Sequence, residues 1–192
     1  MQPKIRQASG NKPKNGIQEF ECLSNAMRLR RSITDCLFRD FGMEKLNPTA
    51  EHMGNYAMFM WFIENERAYI INILRRLVGN IATANSIYPV RLFECDMRRK
   101  CQNAAIGNCV QLKQELQYVI ETLPDVNINS YKPFVKALDK EIQLLKKWRT
   151  SDNKNRKRIE QELFNKQKDL ADQGINTDIL AYEEEYVEKV IE

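Results

Sequence analysis

Lys132, Lys136 and Lys140 recur at every fourth residue, a spacing that sets three ammonium groups in one row along a helix. A row of this kind can neutralise successive phosphates, release counterions and bind a polyanion without reading its sequence. The supply of cations extends well beyond it. Lys146, Lys147 and Arg149 follow, then Lys154, Arg156, Lys157 and Arg158, while Arg91, Arg98, Arg99 and Lys100 occur near the start of the preceding predicted helix. The candidate nucleic-acid contacts are Arg91, Arg98, Arg99, Lys136, Lys140, Lys146, Lys147 and Arg149. Tyr88, Tyr131 and Trp148 lie nearby in sequence and offer rings on which unpaired bases stack, although Trp148, three residues after Leu145, also fits a packed seam. Two alternatives stand beside the binding surface. A solvated helix face needs the same charges, and Lys154–Arg158 also has the composition of a localisation signal.

Catalytic chemistry finds little support. His52 is the single histidine, so the paired Glu-x-x-His ligands of di-iron bundles are missing. Nothing in the sequence places a cysteine beside His52 for nucleophilic work. Neither the GxxxxGK[ST] phosphate loop nor a GxGxxG turn is present. The five cysteines, Cys22, Cys36, Cys95, Cys101 and Cys109, contain no CxxC pair. They read as reduced core residues rather than zinc ligands, with Cys101 and Cys109 on one helical stripe. The expectation is a protein that is not an enzyme and needs neither metal nor cofactor.

The elements that must carry these cations are helices. Seven glycines and six prolines in 192 residues favour long helices over a turn-rich sheet. A first helix is predicted over 17–41, with Phe20, Leu23, Met27, Ile33, Leu37 and Phe41 inward and Gly42 as the stop. Asn47-Pro48-Thr49 marks a break. A second helix is predicted from about Thr49 or Ala50 to Asn85, and its run Tyr56–Ile63, apolar all round, should be the most buried part. Pro89 is expected to open the third helix, where Ala105, Cys109, Leu112, Leu116, Val119 and Leu123 alternate steps of four and three. That rhythm belongs to a helix packed along a bundle seam. Asn129 or Ser130 should cap a fourth helix opened by Pro133, with Val135, Leu138, Ile142 and Leu145 inward. Gly174 should end it.

The short connectors make the helices antiparallel neighbours. The predicted fold is therefore an all-α, antiparallel up-down four-helix bundle over 17–155. A flexible basic arm (1–16) precedes it, and a helical extension with an acidic tail (156–192) follows. Residues 1–158 carry 27 Lys and Arg against 16 Asp and Glu, whereas 159–192 carry three against ten. A basic body with an acidic tail points to a polyanion partner, with the tail as a shield of the basic face. No window resembles a membrane span and Met1–Gly16 lacks the apolar core of a secretory signal, so the cytoplasm is the expected location.

The stretch Ala84-Asn-Ser-Ile-Tyr-Pro89, followed by Arg91 and a long basic helix, resembles a segment of four-helix-bundle accessory variability proteins. These are associated with reverse transcriptases of diversity-generating retroelements. The run Leu138-Asp-Lys-Glu-Ile-Gln-Leu-Leu-Lys-Lys147, closing on Ser151-Asp-Asn153, adds to the likeness, which spans about residues 50–155. The resemblance implies a non-catalytic, basic homo-oligomer that binds the reverse transcriptase and its structured template RNA, supporting mutagenic cDNA synthesis. It implies nucleic-acid contacts at Arg91, Arg98, Arg99, Lys140, Lys146, Lys147 and Arg149. The basic arm and the acidic extension depart from the compact members of that family. Two other functions fit the residues: a DNA-binding accessory protein of a mobile element, and a protein-only helical adaptor.

Overall fold

The computed structural model describes residues 15–39, 41–43, 56–123 and 126–174. Among these residues four helices form the fold: α1 (Asn15–Arg39), α2 (Tyr56–Ser86), α3 (Leu92–Thr122) and α4 (Ile128–Asp172). They pack in a closed ring of neighbours, α1 on α2, α2 on α3, α3 on α4 and α4 back on α1. Partner numbers fall along one helix as they rise along the next. Phe62 meets Tyr118 and Asn80 meets Asn108; Lys113 holds Asp139 and Asn103 holds Arg149. The bundle is antiparallel and up-down throughout.

The seam predicted on α3 forms as the spacing requires. Ala105, Cys109, Leu112, Leu116 and Val119 are fully buried and Leu123 nearly so. On α2, Ile70, Ile73, Leu74, Leu77 and Ile81 turn inward, leaving Arg75 and Arg76 outside. Each fully buried Leu or Ile contributes about 1.5–3 kcal/mol, so these two helices carry much of the apolar stabilisation.

Helix boundaries correct several expectations. Pro89 does not open α3. It lies buried in the connector, and Glu94 caps the helix instead, its carboxylate accepting from the Val90 and Arg91 amides at 2.8 and 2.9 Å. A carboxylate in the first turn also meets the positive end of the helix dipole. Asn127, not Asn129 or Ser130, caps α4, its side-chain oxygen accepting from the Asn129 amide at 2.9 Å. Pro133 therefore falls in the second turn, inside the helix, where it removes one backbone hydrogen bond. Gly174 does end α4, with φ +72°.

The run Tyr56–Ile63 is not the most buried part. Tyr56, Met58 and Trp61 are exposed and only Ile63 is fully inside. The reason is register. Arg67 of α2 already donates to the Leu37 carbonyl near the end of α1 (3.1 Å), so the first turns of α2 run on past the end of that neighbour. Met27, expected inward, is 48% exposed; Cys22, Ala26, Leu29 and Cys36 hold the inner face of α1 with Ile33 and Leu37.

A tight corner fixes α1 to the start of α4. Phe41 and Gly42 adopt positive φ, and the Tyr131 hydroxyl donates to the Phe41 carbonyl at 2.7 Å. A Cβ on Gly42 would stand 2.6 Å from the Tyr131 ring, so the corner needs glycine for space as well as for conformation. The predicted boundary at 155 falls inside an uninterrupted α4, whose last buried side chain is Ile159. Residues 160–172 extend the helix by about 20 Å at 1.5 Å per residue. The Asn47-Pro48-Thr49 break, His52, the acidic terminal helix and all but the last two residues of the basic arm lie outside the described residues; Asn15 and Gly16 belong to α1.

Candidate nucleic-acid interface

The inward stripe of α4 is Leu138, Glu141, Leu145 and Trp148, all 1% exposed or less. Its 3.6-residue repeat leaves the opposite side to solvent. Lys132, Lys136, Lys140, Lys147, Lys154 and Arg158 occupy that outer side, each exposed. The acids of the same stretch do not share it. Asp139 turns to Lys113 of α3 at 2.7 Å, Asp152 turns to Arg98 at 3.0 Å and Glu141 is buried. Over 128–158 the outer face of α4 therefore presents cations and neutral polar groups. Lys136, Lys147, Lys154 and Lys157 enter no ion pair among the described residues.

Several candidate contacts occupy this surface or its edges. Lys136, Lys146 and Lys147 are exposed. Lys140 is exposed too and forms a long pair with Glu21 of α1 at 3.6 Å. Arg149 reaches α3, donating to the Asn103 side chain at 2.6 Å. Arg99 is exposed one turn before Asn103, so it belongs to the same α3–α4 flank. Arg91 is exposed at the α2–α3 turn, beside α4 through the Asn155 side chain, which donates to the Pro89 carbonyl at 3.1 Å.

Arg98 is the exception. It is 5% exposed, pairs with Asp152, donates to the Ile87 carbonyl at 3.1 Å and lies over the Trp148 ring at 4.9 Å. Its guanidinium is committed to joining the α2–α3 turn to α4 and is withdrawn from any ligand surface. Helix phase explains this: Arg98 is one seven-residue repeat before Ala105 and so falls on the α3 seam. Tyr131 and Trp148 are likewise 1% exposed and offer no stacking face; Tyr88, at 82%, does.

α1 contributes cations that the candidate set did not include. Arg28 and Arg31 are exposed, and Arg28 lines a cleft of about 340 Å³ between α1 and α4 together with Asn25, Ser32, Phe134 and Lys140. The signal was a polar row at alternating steps of four and three: Glu21, Asn25, Arg28, Ser32, Asp35 and Arg39.

The ionisable interior is centred on Glu141. Among the described residues neither of its oxygens has a hydrogen-bond partner, and burial, reinforced by Glu21, pushes its carboxyl up to about 8. It is therefore largely neutral at pH 7 and adds little negative charge beneath the basic face. None of the five cysteines is joined in a disulfide, and burial drives Cys109 well above the ordinary thiol range. Among the described residues no His, Cys, Asp or Glu cluster is arranged to hold a metal ion, and no helix is long and apolar enough to cross a membrane. Compared with protein-family models, curated proteins and solved structures, the chain matches none.

Proposed function

We propose that this protein is a non-catalytic nucleic-acid-binding subunit that supports a reverse transcriptase, holding structured template RNA and polymerase together. The observation that carries the nucleic-acid part is the sorting of charge on α4. From Ile128 to Arg158 its three acids turn inward or toward α3, while Lys136, Lys147 and Lys154 stand exposed on the outer side with no ion pair among the described residues. A merely solvated helix face gains from mixing both signs, since opposite charges three or four residues apart stabilise it; among the described residues α4 forms such pairs with the acids beyond Ile159, Arg156 with Glu160 and Arg158 with Glu162. The reverse-transcriptase part rests on the resemblance carried by Ala84–Pro89 and Leu138–Lys147. Self-association is supported by Met58 and Trp61, large apolar side chains exposed one turn apart at the start of α2, with Tyr56 exposed beside them in sequence.

Anisotropy titrations of structured RNA, single-stranded DNA and duplex DNA across a salt series test the central claim. Reversing Lys136, Lys147 and Lys154 to Glu should weaken RNA binding by at least about tenfold and reduce the salt slope by roughly two to three. Unchanged affinity in that variant would remove α4 from the interface. Preference for duplex DNA over RNA would favour the mobile-element DNA-binding alternative. Partner capture that survives nuclease, with no affinity for any nucleic acid, would favour the adaptor.

A further inference from the structure

The cations of α1 and α4 face each other across a groove. Two adjoining clefts, of about 350 and 340 Å³, run between these helices and share Ser32 and Phe134. Together they extend from Asn25 and Lys140 at one end to Gly42 and Asn127 at the other. Asn25 to Arg39 is fourteen residues of helix, or about 21 Å.

The walls and floor differ in chemistry. Arg28 and Arg39 line the α1 wall, and Arg31 stands with Arg28 around a third cleft just outside it. Lys140 lines the α4 wall, with Lys136 one turn before it on the exposed side. Serine hydroxyls from Ser32 and Ser130 lie between. The floor is apolar: Leu29 from α1, Phe134 and Ala137 from α4. Phe134 is half-buried and held edge-on to Tyr131 with ring centres 6.1 Å apart, so its ring is fixed in place.

We propose that the α1–α4 groove is a track for single-stranded nucleic acid, with phosphates on the arginine and lysine walls and bases laid against the Leu29–Phe134–Ala137 floor. This deepens the nucleic-acid reading given above and rests on it. Charge complementarity selects the occupant. Among the described residues Arg28, Arg31, Arg39, Lys136 and Lys140 border the groove against Asp35 and Glu21, and pairing Glu21 with Lys140 still leaves positive charge in excess. The floor selects a single strand, because only unpaired bases have free faces to set on apolar and aromatic side chains. A duplex keeps its bases stacked inside and offers the groove only its backbone. The part of the outer α4 row that lies away from the groove, Lys147, Lys154 and Arg158, is left for a duplex backbone.

The test compares three full-length proteins: the wild type, Arg28→Glu/Arg31→Glu, and Lys147→Glu/Lys154→Glu. Both pairs are exposed, so circular dichroism and thermal melts should match the wild type. Each is titrated with an about 15-nucleotide single-stranded RNA and with a duplex of the same length, a span within the usual single-strand site sizes. The groove variant should lose about tenfold or more for the single strand and less than about threefold for the duplex. Wild-type single-strand affinity in that variant, or equal losses on both ligands, would overturn the groove assignment while leaving nucleic-acid binding intact. Binding of neither ligand by the wild type would overturn the groove and the parent reading together. A photo-crosslinkable uridine strand gives a second readout: cross-links to the 133–137 peptide support the track, and cross-links confined to other segments refute it.

Discussion

Arg98 and Glu141 are ionisable side chains sunk into the same bundle, and the fold resolves them in opposite ways. Arg98 keeps its charge and is surrounded by partners: Asp152, the Ile87 carbonyl and the Trp148 face. Gln102 steadies the carboxylate, donating to Asp152 at 2.6 Å. Glu141 has no hydrogen-bond partner among the described residues and holds on to its proton instead. The difference follows from the chemistry of the two groups. A guanidinium does not deprotonate in a protein, so burying it requires a counter-ion. A carboxyl can escape the cost of a buried charge by staying neutral.

The largest effect that would break this comparison is at Arg98. Arg98→Met should cost about 3 kcal/mol or more, because Asp152 is left without its cation. Urea unfolding followed by circular dichroism measures it, and adding Asp152→Asn should recover part of the loss. A loss below about 1 kcal/mol in the single variant would mean that the pair is not a structural joint.

Glu141 supplies the next effect, and its sign is the reverse. Its folded value is about 8 against 4.5 for an ordinary carboxyl. Between those values the folded protein holds a proton that the unfolded chain has released, so stability falls as pH rises through that window. It levels off above pH 8, and the slope contributed by this group is at most about 1.4 kcal/mol per pH unit. Glu141→Gln keeps the shape and removes the titration. It should therefore be more stable than the wild type at pH 8, by an amount on the order of 4 kcal/mol, and close to it near pH 4. Parallel stability–pH curves for the two proteins would show that Glu141 is already ionised in the fold.

The smallest effect sharpens the contrast between buried and surface charge. Lys147→Glu, on the outer row of α4, should shift stability by no more than about 0.5 kcal/mol while weakening nucleic-acid binding. A substantial loss of stability would mean that this lysine holds the bundle rather than a ligand.

Much of this was legible in one dimension. The four-three rhythm of Ala105 to Leu123 required a packed seam on α3, and the structure buries every member of it. Likewise, Leu145 and Trp148 shared a stripe before any coordinates did. The outer lysines were legible too, as the complement of the α4 seam. What misled was composition read without register: Tyr56–Ile63 is intensely apolar, yet α2 starts beyond the end of α1 and leaves Met58 and Trp61 outside. Arg98 misled for the opposite reason, because a basic residue in a basic run looks like surface until its phase is matched to Ala105.

The sequence by itself determined where the helices lie to within a few residues, the apolar seams of α3, α4 and the later half of α2, and that the chain closes as a bundle. These follow from periodicity, which is a property of one helix at a time. Only the tertiary structure decided that Asp152 turns to Arg98, that Glu141 meets no hydrogen-bond partner among the described residues, and that the arginines of α1 face the lysines of α4 across a groove. Those outcomes depend on the relative register and azimuth of separate helices. They are fixed by side-chain packing among segments far apart in the chain, which no single-helix pattern encodes.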